Sequence, residues 1–184
     1  MKYMTYGGFQ NQMLMRLTLG LTSTFLVLFV GSACALYFSK MSLDPASVAA
    51  YYNGSEVDFR PARSFGSMLE VTHAHLAMMA LILLMLTHLF IFAPFSRRTK
   101  IWSISLAFVF GLLDEGGGWL VRFVDPSFAP LKVVGFIGLQ GTLLFLLGTL
   151  GVFVLRGGGD QPTSAITLPS ETVEDVVAEE EQTS

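Results

Sequence analysis

Apolar residues along the chain fall into four runs long enough to cross a lipid bilayer, separated by short clusters of charge, proline and glycine. A hydrocarbon core of about 30 Å takes about 20 helical residues to cross. The runs cover about 13–38, 69–93, 101–123 and 131–155. The second and third runs are joined by a short basic link, and the third and fourth by Asp125-Pro126-Ser127-Phe128-Ala129-Pro130. Two prolines and an acid in that second link suit a tight turn at the surface. Short links force consecutive helices to run antiparallel. The pattern therefore predicts an all-α, integral-membrane four-helix bundle with four transmembrane helices.

Outside the spans, residues 1–12 form a short N-terminal segment and 39–68 the one extramembrane loop with content of its own. Asp44-Pro45 in that loop suits the start of a helix or turn, and the pair Tyr51-Tyr52 precedes the turn signal Asn53-Gly54. Thirty residues are too few to bury a core, so the aromatic pair is expected at the membrane interface, where amphipathic rings are enriched. Residues 157–184 open with three glycines and turn Ser/Thr/Pro-rich and acidic. That composition predicts a disordered acidic tail.

Composition agrees with a membrane chain: 52% of residues are hydrophobic and only 14% charged, against about 25% charged in an average soluble domain. The net charge of −3 divides unevenly. The tail holds seven acids and no Lys or Arg, which leaves residues 1–156 with 11 basic groups against seven acids, or +4. The single cysteine, Cys34, excludes an intrachain disulfide framework. Gly31-Ser32-Ala33-Cys34 also has the form of a lipoprotein cleavage site, but the apolar run around it exceeds the roughly 7 to 15 residues of a signal h-region and reads as a span. No phosphate-binding glycine loop and no basic-aromatic strip is present, so nucleotide and nucleic-acid partners are not expected.

Chemistry concentrates in the ionisable residues inside the spans, each costing roughly 2.5 to 3.5 kcal/mol to insert and therefore a functional candidate. They are Glu70, His73, His75 and His88 on the second span and Asp114 and Glu115 on the third, with Gln140 on the fourth. At about 100° and 1.5 Å per residue, His73 and His88 share a face about 22 Å apart along the axis. Glu70 shares the face of His73, whereas His75 is about 160° away and is assigned to packing. Asp114 and Glu115 come to a height similar to that of Glu70, His73 and His75. Gly116-Gly117-Gly118 follows them, and since glycine costs about 1 kcal/mol in a helix, span three is expected to kink or unwind there. Gln140 lies among Gly135, Gly138, Gly141 and Gly148, a surface suited to close helix approach.

Three readings follow. Two imidazoles on one helix face at this separation suit axial ligation of haem b by His73 and His88, as in membrane electron transfer. The span count and this spacing resemble the four-helix cytochrome b subunits of membrane redox complexes. The chain departs from them in having no histidine on any other span, so a homodimer or a larger membrane complex has to supply the opposing ligands. In the second reading, Glu70, His73, His75, Asp114 and Glu115 form a site for a zinc, iron or copper ion. In the third, the polar groups pack the bundle of a structural or accessory subunit without a cofactor.

The segments Glu70-Val71-Thr72-His73-Ala74-His75 and Asp114 to Trp119 resemble a group of small four-span bacterial inner-membrane proteins. That resemblance covers the bundle without the tail and implies the bacterial inner membrane, with no activity attached. The link between spans two and three carries Arg97, Arg98 and Lys100 within a few residues. Short loops weigh most in the positive-inside rule, which puts this link and both termini on the cytoplasmic side.

Overall fold

The structure is a computed structural model and describes residues 13–57 and 59–156. The expectations for residues 1–12 and for the tail 157–184 lie outside the described residues. Five helices follow one another: α1 (Met13–Lys40), α2 (Pro45–Asn53), α3 (Phe65–Phe90), α4 (Arg97–Phe123) and α5 (Ala129–Arg156), with a single 3-10 turn at Pro126–Phe128 before α5. α1, α3, α4 and the stretch through α5 are long and apolar enough to cross a membrane. The regular structure of the described residues is thus helical, save one bridge between Ser55 and Arg60.

Capping explains why two spans begin about four residues before their apolar runs. The Ser64 hydroxyl accepts from the Ser67 amide and that of Ser96 from the Thr99 amide, satisfying amides that a helix start leaves unpaired. α2 is started by Asp44, which accepts from the Ala46 amide, with Pro45 at the first helical position. Asp125 accepts from the Ser127 amide at 2.7 Å and closes the turn between α4 and α5.

The most intimate packing is between α4 and α5, and glycine makes it possible. A Cβ on Gly117 would lie 2.8 Å from the Lys132 Cα, and one on Gly135 would run into the Leu113–Asp114 backbone. Gly138 is covered by the Phe110 ring, whereas Gly141 and Gly148 face open space. The glycine triplet does not unwind span three: α4 is helical across Gly116–Gly118. Close contact with neighbours offsets the propensity lost there. Gly117 receives the α5 backbone, and Gly118 lies beneath the ring of Tyr52 on α2.

α1 packs against α5, and α3 against α4 and α5, while α1 and α3 make at most marginal contact with one another. One apolar cluster, with Leu83, Leu86, Ala107, Leu143 and Leu146, fills the end of the bundle near the Arg97–Lys100 link. A second, with Tyr37, Met41, Val48, Val121, Ala129 and Phe136, fills the end below α2. Between α1 and α3 a space is left.

Candidate functional site

That space is a cavity of about 490 Å³. α1 contributes Leu36 and Tyr37 to one wall and α3 contributes Thr72, His75 and Met79 to the other. α5 and α4 close the back with Lys132, Phe136, Gln140, Asp114 and Glu115. Tyr51, Tyr52 and Arg63 cover the end nearest α2. Leu83, Ile82, Leu139 and Leu143 line the opposite end, so the cavity is polar toward α2 and apolar along the bundle.

Two polar assemblies stand at the polar end. In the first, the Glu115 carboxylate accepts from the Thr72 hydroxyl on one oxygen and faces His75 Nδ1 at 3.2 Å on the other. Trp119 Nε1 donates to the Thr72 hydroxyl oxygen at 2.8 Å. Both carboxylate oxygens of this α4 residue are thus engaged, and both groups that hold them come from α3. The side chain of Glu115 is 12% exposed and that of His75 54%, so the acid lies inside the protein and the imidazole at the cavity mouth. His75 Nε2 makes no hydrogen bond among the described residues.

In the second assembly, Lys132 Nζ donates to Asp114 Oδ1 at 2.6 Å and to the Asp114 carbonyl at 2.7 Å. Both side chains are largely buried, at 10% and 16% exposure. A buried charge is tolerated when it is paired and hydrogen-bonded, and the short turn into α5 brings the two together. One further group stands unpaired: the Oε1 of Gln140, a cavity-lining residue, is buried without a hydrogen-bond partner among the described residues. A buried acceptor left unmade costs about 1 to 3 kcal/mol, so a donor brought into the cavity gains a ready partner.

α2 and the loop after it are fastened over this end. Asn53 Nδ2 donates to the Val121 carbonyl at 3.1 Å, and Arg122 Nε to the Arg63 carbonyl at 2.7 Å. The Arg63 guanidinium donates to the Tyr51 hydroxyl and lies over its ring, 4.6 Å from the centroid. Tyr51 and Tyr52 meet edge to face at 5.0 Å. Burial pushes the Tyr52 phenol far above its ordinary value near 10, and the negative charge of Asp114 adds to the effect. The aromatic pair forms the roof of the cavity.

The structure separates the residues singled out by sequence. His75, Asp114 and Glu115 line the cavity. Glu70, His73 and His88 are exposed on α3, roughly 140° to 200° around the helix from Met68 at the centre of its buried face. His88 meets only the ring of Phe92 among its described contacts, edge to face at 5.8 Å. Among the described residues, no three His, Cys, Asp or Glu side chains converge as a metal-ion cluster. His75, assigned to packing by its angle from His73, is the histidine that meets an acid. Sequence reasoning also passed over Thr72, Trp119, Arg63 and Lys132; an acid deep in a span needs a counter-ion, and Lys132 is one turn into the neighbouring helix.

The family model Aq_1264_TM, described as a transmembrane helical domain, matches residues 42–161. The chain belongs to this family. It is an integral membrane protein whose family domain takes in α2 to α5, and therefore the roof, the back and the α3 wall of the cavity. α1, which supplies the remaining wall, lies outside the matched segment. No curated protein and no solved structure is significantly similar to the chain.

Proposed function

We propose that this protein is a membrane subunit that binds a lipid-soluble amphiphile with a neutral, hydrogen-bonding head group, of the quinone or quinol class, in the cavity between α1 and α3. The observation that carries the reading is the polarity gradient of one cavity. His75, Glu115 and Lys132 stand toward α2 and Ile82, Leu83, Leu139 and Leu143 at the other end, with Gln140 beside Leu139 where the polar and apolar parts meet. Binding sites of this size are usually apolar with a few convergent polar groups that fix orientation.

The polar groups at this end are already paired, Lys132 with Asp114 and His75 with Glu115. An ionic head group would disturb both pairs; a neutral one with carbonyl or hydroxyl oxygens would use what is left. His75 Nε2 and the Gln140 amide offer donors and acceptors to such oxygens, and the wall opening where α1 and α3 barely meet admits a chain from the bilayer. A ligand of this class fits a place in membrane electron transfer. We assign the membrane to the bacterial inner membrane and the α2 end to its outer face, on the basic link Arg97–Lys100 at the other end. Purified protein in lipid nanodiscs should bind a short-chain benzoquinone saturably, and Glu115→Gln with His75→Ala should weaken binding by about tenfold or more, the loss expected for one or two hydrogen bonds to charged groups. Equal, non-saturable partition into wild-type and variant nanodiscs would sink the proposal.

A second reading keeps His73 and His88 as axial ligands of haem b. It is favoured by their both being exposed on one flank of α3, where another subunit can supply the opposing ligands. A reduced b-type visible spectrum from protein made in a haem-replete host supports it, and a colourless preparation rejects it.

A further inference from the structure

The outward flank of α3 is occupied by residues that do not suit lipid. Glu70 and His73 are exposed, and neither has a side-chain partner among the described residues. They stand one turn apart, about 4.5 Å along the axis. Ionisable side chains within spans almost always face a protein interior or a wet cavity, because lipid does not solvate them. In the part of α3 nearer α2 the flank around them is small, with Gly66, Ala74, Ala77 and Ala80 exposed and nothing near a Cβ on Gly66, and exposed Leu81 and Leu84 continue it beyond. Small residues in this position let two helix backbones approach closely.

We infer that this flank of α3 is the interface of a symmetric dimer with a second copy of the same chain. The inference is independent of the cavity, which opens on the other side of α3. A two-fold axis along the membrane normal keeps the two copies of α3 parallel, and each contact between unlike residues occurs twice. Glu70 and His73 lie on opposite sides of Ala77 around the helix, so each comes to the same side of the seam as the other's counterpart, one turn away in height. Glu70 then lies beside His73 of the partner subunit, and its own His73 beside Glu70 of the partner subunit. An acid and a base one turn apart on a single helix are complementary to themselves under that operation, and both are removed from lipid in one step. Ala77 then faces its counterpart near the middle of the span.

The test is cross-linking in native membranes. In a Cys34→Ser background, Ala77→Cys should form a disulfide dimer of twice the chain mass under a membrane-permeant oxidant, since two cysteines bridge when their Cα atoms come within about 7 Å. Ile137→Cys, on the exposed face of α5, should not. Glu70→Leu should lower the Ala77→Cys dimer by roughly an order of magnitude, the effect of losing two intramembrane hydrogen bonds of average strength. Cross-linking at Ala77 no stronger than at Ile137, or an adduct with a protein of different mass, overturns the assignment.

Discussion

Lys132 shows how one side chain secures a buried acid of the cavity wall. Its ammonium makes two hydrogen bonds to Asp114 with almost no solvent to help. Removing it while keeping the acid leaves an uncompensated buried charge. Lys132→Met should cost about 3 to 5 kcal/mol, and Lys132→Met with Asp114→Leu much less, because breaking a buried pair is costlier than replacing it. Unfolding of the three proteins in mixed micelles checks both values. Tyr52 offers a second test. Its phenol is held protonated in the folded protein by burial and by Asp114. Above pH 10 the unfolded chain releases this proton while the folded one keeps it, so stability falls as pH rises. Tyr52→Phe should remove that part of the slope of Tm against pH; an unchanged slope would mean that Tyr52 titrates normally. His75 illustrates what was hidden at this scale. Its angle from His73 holds, but both flanks of α3 carry ionisable residues among apolar ones. Hydropathy therefore did not reveal which flank faced the protein, and the choice of the inner histidine needed the packing of α4 and α5.

The elements themselves were legible because the bilayer imposes a length. Four runs of about 20 apolar residues have no alternative to crossing as helices, since lipid leaves every backbone group to be satisfied within the segment. Their starts were less legible, as Ser64 and Ser96 carry the helices of α3 and α4 into polar sequence. The Gly116–Gly118 triplet misled for a physical reason: propensity treats a glycine as a cost, while helix contact makes it a requirement. The two effects separate by position. Gly118→Ala sets a Cβ 2.6 Å from the Tyr52 hydroxyl oxygen and should destabilise by about 1 to 3 kcal/mol, the usual price of overpacking. Gly116→Ala meets nothing within 4 Å and should stabilise by up to about 1 kcal/mol through helix propensity. Thermal unfolding of the two variants measures the contrast, and equal effects would contradict the packing described for α4.

At the scale of the whole molecule, the two ends of the bundle differ in chemistry. One end carries Arg97, Arg98 and Lys100 on a short link; the other carries α2, the roofed cavity and the Asp125 turn. With the basic link in the cytoplasm, Ser127→Cys should react with a membrane-impermeant maleimide from the outer side of intact cells and Ser96→Cys should not, both in a Cys34→Ser background. The reverse pattern inverts the orientation while leaving the cavity as described. A neutral amphiphile with its head and part of its chain in the cavity between α1 and α3 would touch both helices. Photoaffinity labelling of the protein in its membrane with an azido-quinone, followed by mapping of the labelled peptides, tests it most directly. Label is expected on the cavity faces of α1 and α3, around Leu36 and Met79, competed by unlabelled quinone and reduced in Glu115→Gln. Label spread over exposed apolar residues such as Leu112 and Ile137, indifferent to competitor and to Glu115, would contradict it.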